Sequence, residues 1–497
     1  LKLKDLIHNN FPELMNQLSS YSMQWGEREI NEISSDSCCI QKGWMFVAII
    51  GHKADGHDFI SQVIAQGAEA IVVSSTYSSH DFSVAIRENV PILFVDNTRI
   101  FLSLCSSKLY GEHPKKIFAI TGTSGKSSVA SFVQQIYQYS GLSSFQIGPM
   151  RSIASFPHHN SLTTPNSVYL AKALSYLSSQ GVTHVSLEAS SHGLDQHRLD
   201  GIKLSGGCFT NLGRDHIEYH KTKQAYLNAK MRLFEELLPE KSPAVIYSDD
   251  PCSQEVMHRA HNAGCRVLSV GYQGAFIRLK KVSSILDKQQ VSLSIEGKDF
   301  NFIFSLPGEF QVYNALVAAG LCIASGIDIP TVIECLGKLN IVPGRFEFIG
   351  TNSKGGKIYV DYAHTPNSLE MVLKNVRTIT SGRIIVVFGC GGDRDQGKRP
   401  MMGKIALDLA DTVIVTDDNP RSEDPKKIRA EIINGFSGFI EEGNRVEAIR
   451  IALSMLNKGD VLVVAGKGHE TVQIINKGVV RMSIDCDIIR EILGSSL

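Results

Sequence analysis

Short apolar runs alternate with amphipathic stretches along the whole chain, the signature of repeated β–α units. In the first 110 residues a helix-like stretch reaches Leu18, and apolar strands are expected at 45–50, 70–73 and 92–95. Residues 117–136 read as a strand, a glycine-rich turn and a helix: an apolar run from Ile117, then Gly122-Thr-Ser-Gly125-Lys126-Ser127-Ser128, then Val129, Phe132, Val133 and Ile136 at helical spacing. Further strands are expected at 182–188, 208–210, 291–295 and 300–304, and helices at 223–238 and 313–323. The pattern restarts at the turn Pro343-Gly344-Arg345-Phe346, after which strands are expected at 357–360, 384–388, 412–416 and 461–465. The fold class is therefore α/β in three domains, with boundaries at 1–110, 111–343 and 344–497. The first is a small α/β domain, and the second has a mainly parallel sheet around the glycine-rich turn.

Composition agrees with this division. A chain of 497 residues is too long for one ordinary core, and its 43% hydrophobic content supports large buried ones. Lys plus Arg and Asp plus Glu are equal at 50 each, so no charge bias points to nucleic acid or an anionic membrane. The 10 cysteines include the adjacent Cys38 and Cys39 but no Cys-x-x-Cys pair, which suits reduced thiols better than disulfides or a zinc ribbon. No apolar run approaches the roughly 18 residues of a membrane span, and the polar start (Lys2, Lys4, Asp5, His8) lacks a signal-peptide core. A soluble, unexported protein is expected.

Chemistry concentrates in the loops. Gly122 and Gly125 allow a tight turn with amides pointing inward, so that an anion can sit at the helix N-terminus beside Lys126, with Ser127 placed to ligate magnesium. The general P-loop has a glycine five residues before Gly125; Ile120 stands there, so the match is to the shorter Gly-x-x-Gly-Lys-Ser form. Glu188 closes an apolar strand. A carboxylate in that place can hold magnesium directly or through water, or it can cap a helix or face solvent. The loop from Thr210 to His220 is dense in ionisable groups that are costly to bury, and His216 is either a metal ligand or an ordinary loop residue. Lys230 falls on the apolar stripe of Tyr226, Leu233 and Leu237. Facing inward it becomes a nucleophile toward CO2 or a substrate; otherwise its stem snorkels to water. Ser35-Asp36-Ser37 and Gly51-His52-Lys53-Ala54-Asp55-Gly56 read alone as polar surface turns.

In the third segment each strand is followed by a polar, glycine-bearing loop: Asp361 to Pro366, Gly389 to Asp395 with Lys398, Asp417 to Arg421, and Gly466 to Glu470. All four should lie along one sheet edge. Arg394 and Arg421 with Asp418 and Glu470 suit a ligand bearing carboxylate and ammonium groups, since arginine takes carboxylates by paired hydrogen bonds.

Together, the stretches Thr121 to Ser128, Glu188 to His192 and Thr210 to His216, with Lys230, Asn314, Pro343-Gly344-Arg345 and Asp361 to His364, resemble the Mur ligases of peptidoglycan synthesis over nearly the whole chain. Within the family, the Gly51–Gly56 turn and Asp418-Asn419-Pro420-Arg421 are similar to the members that add meso-2,6-diaminopimelate to UDP-N-acetylmuramoyl-L-Ala-D-Glu. The resemblance implies a domain for the UDP end of that substrate, a central P-loop ATPase domain and a C-terminal Rossmann-like domain for the amino acid. It implies a cytoplasmic, monomeric, ATP-dependent acid–amino-acid ligase that forms ADP and phosphate and serves cell-wall synthesis, cell shape and division.

By the same resemblance Gly122, Thr123, Ser124, Gly125, Lys126, Ser127 and Ser128 hold ATP phosphates, and Asn314, Arg345 and Asp361 serve the nucleotide. Ser127, Glu188, His216 and Lys230, the last as N6-carboxylysine, support magnesium; Lys126, Glu188, His216 and Lys230 form the catalytic set. Ser35, Ser37, His52, Lys53, Ala54, Thr163, Thr164, Ser190, Gln196 and Arg198 contact the UDP-muramoyl dipeptide. Arg394, Asp418, Asn419, Pro420, Arg421, Gly466 and Glu470 bind diaminopimelate. The chain departs from the family pattern at Ser35, where a larger apolar residue is common, at Glu218 in place of Asp, and at Leu162 in place of Asn. A lysine-adding ligase, a folylpolyglutamate synthase and a P-loop switch ATPase are the rivals. The Asp-Asn-Pro-Arg loop and the Gly51–Gly56 turn argue against the first two, and the third segment's amino-acid-like loops argue against the last.

Overall fold

The computed structural model describes residues 1–8, 10–21, 24–51, 54–78, 82–149, 153, 162–285, 288–475, 478–481 and 484–494. Two compact units divide the chain: a smaller one of Leu1–Ala119, Leu142–Ser205 and Arg232–Pro239, and a larger one of Ile120–Gly141, Gly206–Met231 and Glu240–Leu497.

In the smaller unit, strands β1 (Glu32–Ser34), β2 (Trp44–Val47), β3 (Ala70–Ser74) and β4 (Ile92–Val95) form a parallel sheet in sequential order. Both faces are covered: Met45, Val47, Ala70 and Val72 pack under the first helices and Phe101, whereas Phe46, Ile71 and Val73 pack against Val63 and Ala85. That two-sided burial explains the continuous apolar runs. The N-terminal helical stretch is two helices, Leu3–Ile7 and Pro12–Tyr21, because Pro12 fixes the first turn of a new helix. Strand β5 (Lys116–Thr121) carries the chain toward the glycine-rich turn, and β6 (Ser144–Ile147) pairs in parallel with β7 (His184–Glu188).

The larger unit contains β8 (Gly206–Phe209), β9 (Pro243–Tyr247) and β10 (Arg266–Gly271) in parallel register. The run continues through β11 (Ile277–Ile285), β12 (Lys288–Ile295) and β13 (Lys298–Phe304); β11 joins β10 in parallel, while β11 with β12 and β12 with β13 pair antiparallel. A second sheet in this unit has the order β14 (Arg345–Thr351), β15 (Lys357–Asp361), β19 (Val461–Ala465), β16 (Ile384–Phe388), β17 (Thr412–Val415), β18 (Phe439–Glu441). All its pairings are parallel except β14 with β15. The loops leaving β15, β16, β17 and β19 therefore share one edge, as the strand pattern requires. A hairpin of β20 (Val472–Ile475) and β21 (Gly478–Arg481) follows.

Two differences from the sequence reading have local causes. The stretch at 223–238 is α-helical only over Lys223–Arg232; a π turn, Leu233–Leu237, follows, closed by Leu238 N–H donating to the Leu233 carbonyl at 3.1 Å. Strand β14 escaped notice because its register against β15 slips twice, at Arg345/Glu347 and Phe348/Gly350, which destroys clean alternation. Among the described residues no helix is long and apolar enough to cross a membrane. The 10 cysteines are free thiols.

Candidate active site

The phosphate-type turn is sewn to the loop after β8. Gly125 caps the helix Lys126–Tyr139 at φ +87°, and Gly122 has φ +141°. Side chains there would collide: a Cβ on Gly122 would lie 1.9 Å from Thr210 Oγ1, and one on Gly125 2.4 Å from Asn314 Oδ1. Asn211 accepts from Ser124 N–H at its Oδ1 (2.9 Å) and from Thr123 N–H at its carbonyl (2.9 Å), while Thr210 Oγ1 donates to the Ser124 carbonyl (2.6 Å). Those two amides are committed to the loop, so the anion-facing donors are those of the helix's first turn. Lys126 Nζ donates to the carbonyls of Gly122 (3.0 Å) and Thr123 (2.8 Å). Arg345 Nη2 donates to Ser127 Oγ at 3.0 Å, which brings the start of β14 to the cradle.

Lys230 is buried, with 1% exposure, which decides for the inward-facing alternative over the snorkelling one. Its Nζ donates to the same Gly122 carbonyl at 2.7 Å and lies 4.2 Å from the centre of the Tyr226 ring. Burial, and then the charge of Lys126, push its amine well below the ordinary lysine value against the pull of Asp215. A neutral amine can attack CO2; an ammonium cannot. Asp215 is itself buried among His216 (3.4 Å), His364 (3.7 Å) and Lys398. Burial opposes its ionisation, but these neighbours hold it well below the usual carboxylate range. His216 adopts φ +53°, and its Nδ1 stands 3.6 Å from Glu218.

Next to Arg345, burial lifts the Asp361 carboxyl to about 6 against the pull of the guanidinium and of the Ala363 and Phe346 amides. The Arg345 guanidinium lies 4.2 Å from the Tyr362 ring centre, and its buried Nε has no hydrogen-bond partner among the described residues. Asn314 Nδ2 donates to Gln311 at 3.1 Å. Among the described residues no group of three or more His, Cys, Asp or Glu stands together as a metal cage.

The four loops of the second sheet in the larger unit bring the other expected residues together. Glu470 accepts from Asn419 Nδ2 (2.9 Å) and from the Tyr362 hydroxyl (3.0 Å). Asp418 Oδ1 accepts from Asn419 N–H (2.6 Å), and Gly466, at φ +109°, leaves room beside Asp418 Oδ2, only 3.0 Å from where its Cβ would be. Arg421 Nη1 donates to the carbonyls of Gly392 (2.8 Å) and Asn419 (3.3 Å), and Arg394 Nη1 to that of Asp393 (2.9 Å). Among the described residues neither arginine makes a salt bridge with a carboxylate. Burial, and then the charge of Arg394, lower the Arg421 pKa. Two guanidiniums on adjacent loops, each with donors beyond these backbone bonds, have the chemistry to hold an anion such as a carboxylate.

In the smaller unit, Thr164 ties the turn after β7. Its hydroxyl donates to the Glu188 carbonyl (2.7 Å), accepts from Ser190 N–H (2.8 Å) and meets Ser190 Oγ at 2.9 Å. Arg198 donates to the Thr164 carbonyl (2.5 Å) and to Gln196 Oε1 (2.7 Å), so this group of expected residues is brought together with Thr163 beside it. Glu188 is 1% exposed, and a Cβ on Gly148 would touch its Oε1 at 2.2 Å. Ser37 is buried, while Ser35 and Ala54 are exposed; His52 and Lys53 lie outside the described residues.

Several residues of the larger unit's network carried no assigned role in the sequence reading. Thr210 and Asn211 brace the cradle, Asp215 gathers cations, and Arg214 pairs with Asp395 through two hydrogen bonds of 2.6 and 3.0 Å. Their signal was the density of ionisable groups in one loop, which says that they matter but not which partner each takes.

Cradle, buried lysine and sheet-edge loops define a P-loop nucleotide-binding α/β protein. Its sequence matches the Mur ligase family, catalytic domain, over residues 29–109, the Mur ligase middle domain over 120–322 and the Mur ligase, glutamate ligase domain over 344–468. The chain belongs to the Mur ligase family. It is 49% identical to the UDP-N-acetylmuramoyl-L-alanyl-D-glutamate–2,6-diaminopimelate ligase of Agrobacterium fabrum over 96% of this chain and 95% of the relative. To the same-named protein of Rhizobium meliloti it is 46% identical over 99% and 100%. A solved structure bearing that name superimposes with a TM-score of 0.68 at 31% identity, covering 100% of this chain and 99% of the other. The MurF ligase of Thermotoga maritima in complex with ADP shares the fold (TM-score 0.60, 19% identity, 94% and 97% covered).

Proposed function

We propose that this chain adds meso-2,6-diaminopimelate to the D-Glu of UDP-N-acetylmuramoyl-L-Ala-D-Glu in peptidoglycan synthesis, with cleavage of ATP to ADP and phosphate. The observation that carries this reading is the Arg394–Arg421 pair. It is an anion site built into the amino-acid loops of a chain nearly half identical, end to end, to ligases named for diaminopimelate. Lysine lacks the second carboxylate that such a pair would bind.

On this reading residues 1–110 receive the UDP end of the substrate, 111–343 hold ATP, and 344–497 hold the amino acid. The D-Glu side-chain carboxylate attacks the γ-phosphate to give an acyl phosphate; the amine then attacks the acyl carbon and phosphate leaves. Lys126 and the first-turn amides stabilise the transferring phosphoryl group, and Arg345 aligns the nucleotide by way of Ser127. Asn314 and Asp361 bind the nucleoside, while Asp418 and Glu470 take the ammonium groups of the amino acid. Magnesium, when bound, neutralises phosphate charge; Ser127, His216 and a carbamate of Lys230 are its proposed ligands, and Glu188 carries the same assignment from its motif. The carbamate turns a neutral amine beside Lys126 into an anion that attracts it. The protein acts as a cytoplasmic monomer, where its nucleotide substrates are.

The test is phosphate release with ATP and the UDP-muramoyl dipeptide, supplied with diaminopimelate, lysine or a folate. Diaminopimelate alone should drive turnover. Arg421→Ala should erase the preference over lysine, up to roughly 10⁴-fold where a buried charge would otherwise lose its partner. Lysine preferred by the wild type, or selection unchanged in the variant, would contradict the assignment.

A further inference from the structure

Arg394 and Arg421 sit on different loops, one after β16 and one after β17, and like charges do not hold themselves together. They meet across Gly391, where a Cβ would lie 2.6 Å from Arg421 Nη1 and 3.8 Å from Arg394 Cγ. What opposes their repulsion lies behind them. Arg399, in the first turn of the helix Lys398–Leu409, has no exposed surface. Its two terminal nitrogens donate to the two oxygens of Glu423, each at 2.9 Å, a fork-to-fork pair. Nη1 also donates to Glu431 (2.6 Å), and Nη2 to the Gly391 carbonyl (3.2 Å).

Glu423 in turn accepts from Asp393 N–H at 2.6 Å, one residue from Arg394, and its own N–H donates to the Pro420 carbonyl at 3.0 Å, one residue from Arg421. One buried cation and one carboxylate thus join both loops at the residues flanking the anion site. A smaller strap runs alongside: Asp393 accepts from the Ser422 hydroxyl (2.6 Å) and Gly392 N–H donates to the Asn419 carbonyl (2.9 Å).

We infer that Arg399 and Glu423 are positioning residues that set the spacing of the Arg394 and Arg421 guanidiniums and thereby the selectivity for an amino acid with a second carboxylate. The pair acts through the loops. Arg399 has no surface with which to touch a substrate, and paired-hydrogen-bond recognition is lost when its two halves shift by about 1 Å. This inference rests on the proposed function, and its test separates the two.

Glu423→Gln keeps shape and one acceptor, and Arg399→Lys keeps charge without the fork; thermal melting first establishes that each folds. In the folded variants the KM for diaminopimelate should rise between about 10- and 100-fold, with the preference over lysine falling in step and the KM values for ATP and the UDP-muramoyl dipeptide within about 2-fold of wild type. The double variant Arg399→Met/Glu423→Leu, which leaves no buried charge behind, should show the same defect and covers the case in which a single variant fails to fold. An unchanged diaminopimelate KM, or an equal rise for all three substrates, would overturn the inference. A wild type that selects lysine overturns the proposed amino acid and with it the selectivity for a second carboxylate, whereas a wild type that selects diaminopimelate, with variants whose diaminopimelate KM is unchanged, overturns the positioning role alone.

Discussion

Lys230 and Asp361 show one physical cause with opposite chemical results. Burial lowers the pKa of the lysine and raises that of the carboxyl, because in each case it penalises the charged form. For Lys230 the outcome is a nucleophile. Lys230→Ala should lower turnover by at least about 100-fold, short carboxylic acids should restore part of it, and ¹³C-labelled bicarbonate should give a carbamate signal in wild type only. Activity indifferent to the substitution would refute the role. For Asp361 the folded protein binds the proton more tightly than the unfolded chain, whose carboxyl titrates near 3.8. Its stabilising contribution is therefore full at low pH and is lost as pH rises through about 6. Melting temperatures of wild type and Asp361→Asn, compared between pH 4 and 7, should diverge in that sense; parallel profiles would contradict the raised pKa.

At the scale of elements, the strand–turn–helix from Lys116 to Tyr139 was legible because it needs only local rules: an apolar strand, two glycines and a helical stripe. Gly125 has both positive φ and Asn314 against its missing side chain, so Gly125→Ala should weaken ATP binding by 10-fold or more at a stability cost of about 1–2 kcal/mol. Calorimetric titration with ATP checks this, and wild-type affinity would argue that the cradle is not the phosphate site. Strands β4, β16 and β19 fall where the apolar runs place them, since two-sided burial leaves an unbroken signal. Strand β14 and the π turn at Leu233–Leu237 were not legible. One depends on a slipping register and the other on i+5 hydrogen bonding, and neither leaves a period in the sequence.

At the scale of the whole molecule, the motifs pointed to loops that the fold gathers along one sheet edge, but not to how residues more than 150 positions apart find one another. Arg214 with Asp395, and Arg345 with Ser127, are pairs that only the folded chain makes. The same holds for Arg399 and Glu423, ordinary charges in sequence and a buried fork in the structure. On the proposed function, these pairs serve one acyl transfer with one amine selected. The most direct measurement is mass spectrometry of the product formed from ATP, UDP-N-acetylmuramoyl-L-Ala-D-Glu and equal concentrations of diaminopimelate and lysine. The account predicts a UDP-muramoyl tripeptide heavier by one diaminopimelate residue, formed one-for-one with ADP and phosphate. A lysine-bearing product, or ATP hydrolysis with no new amide, would contradict it.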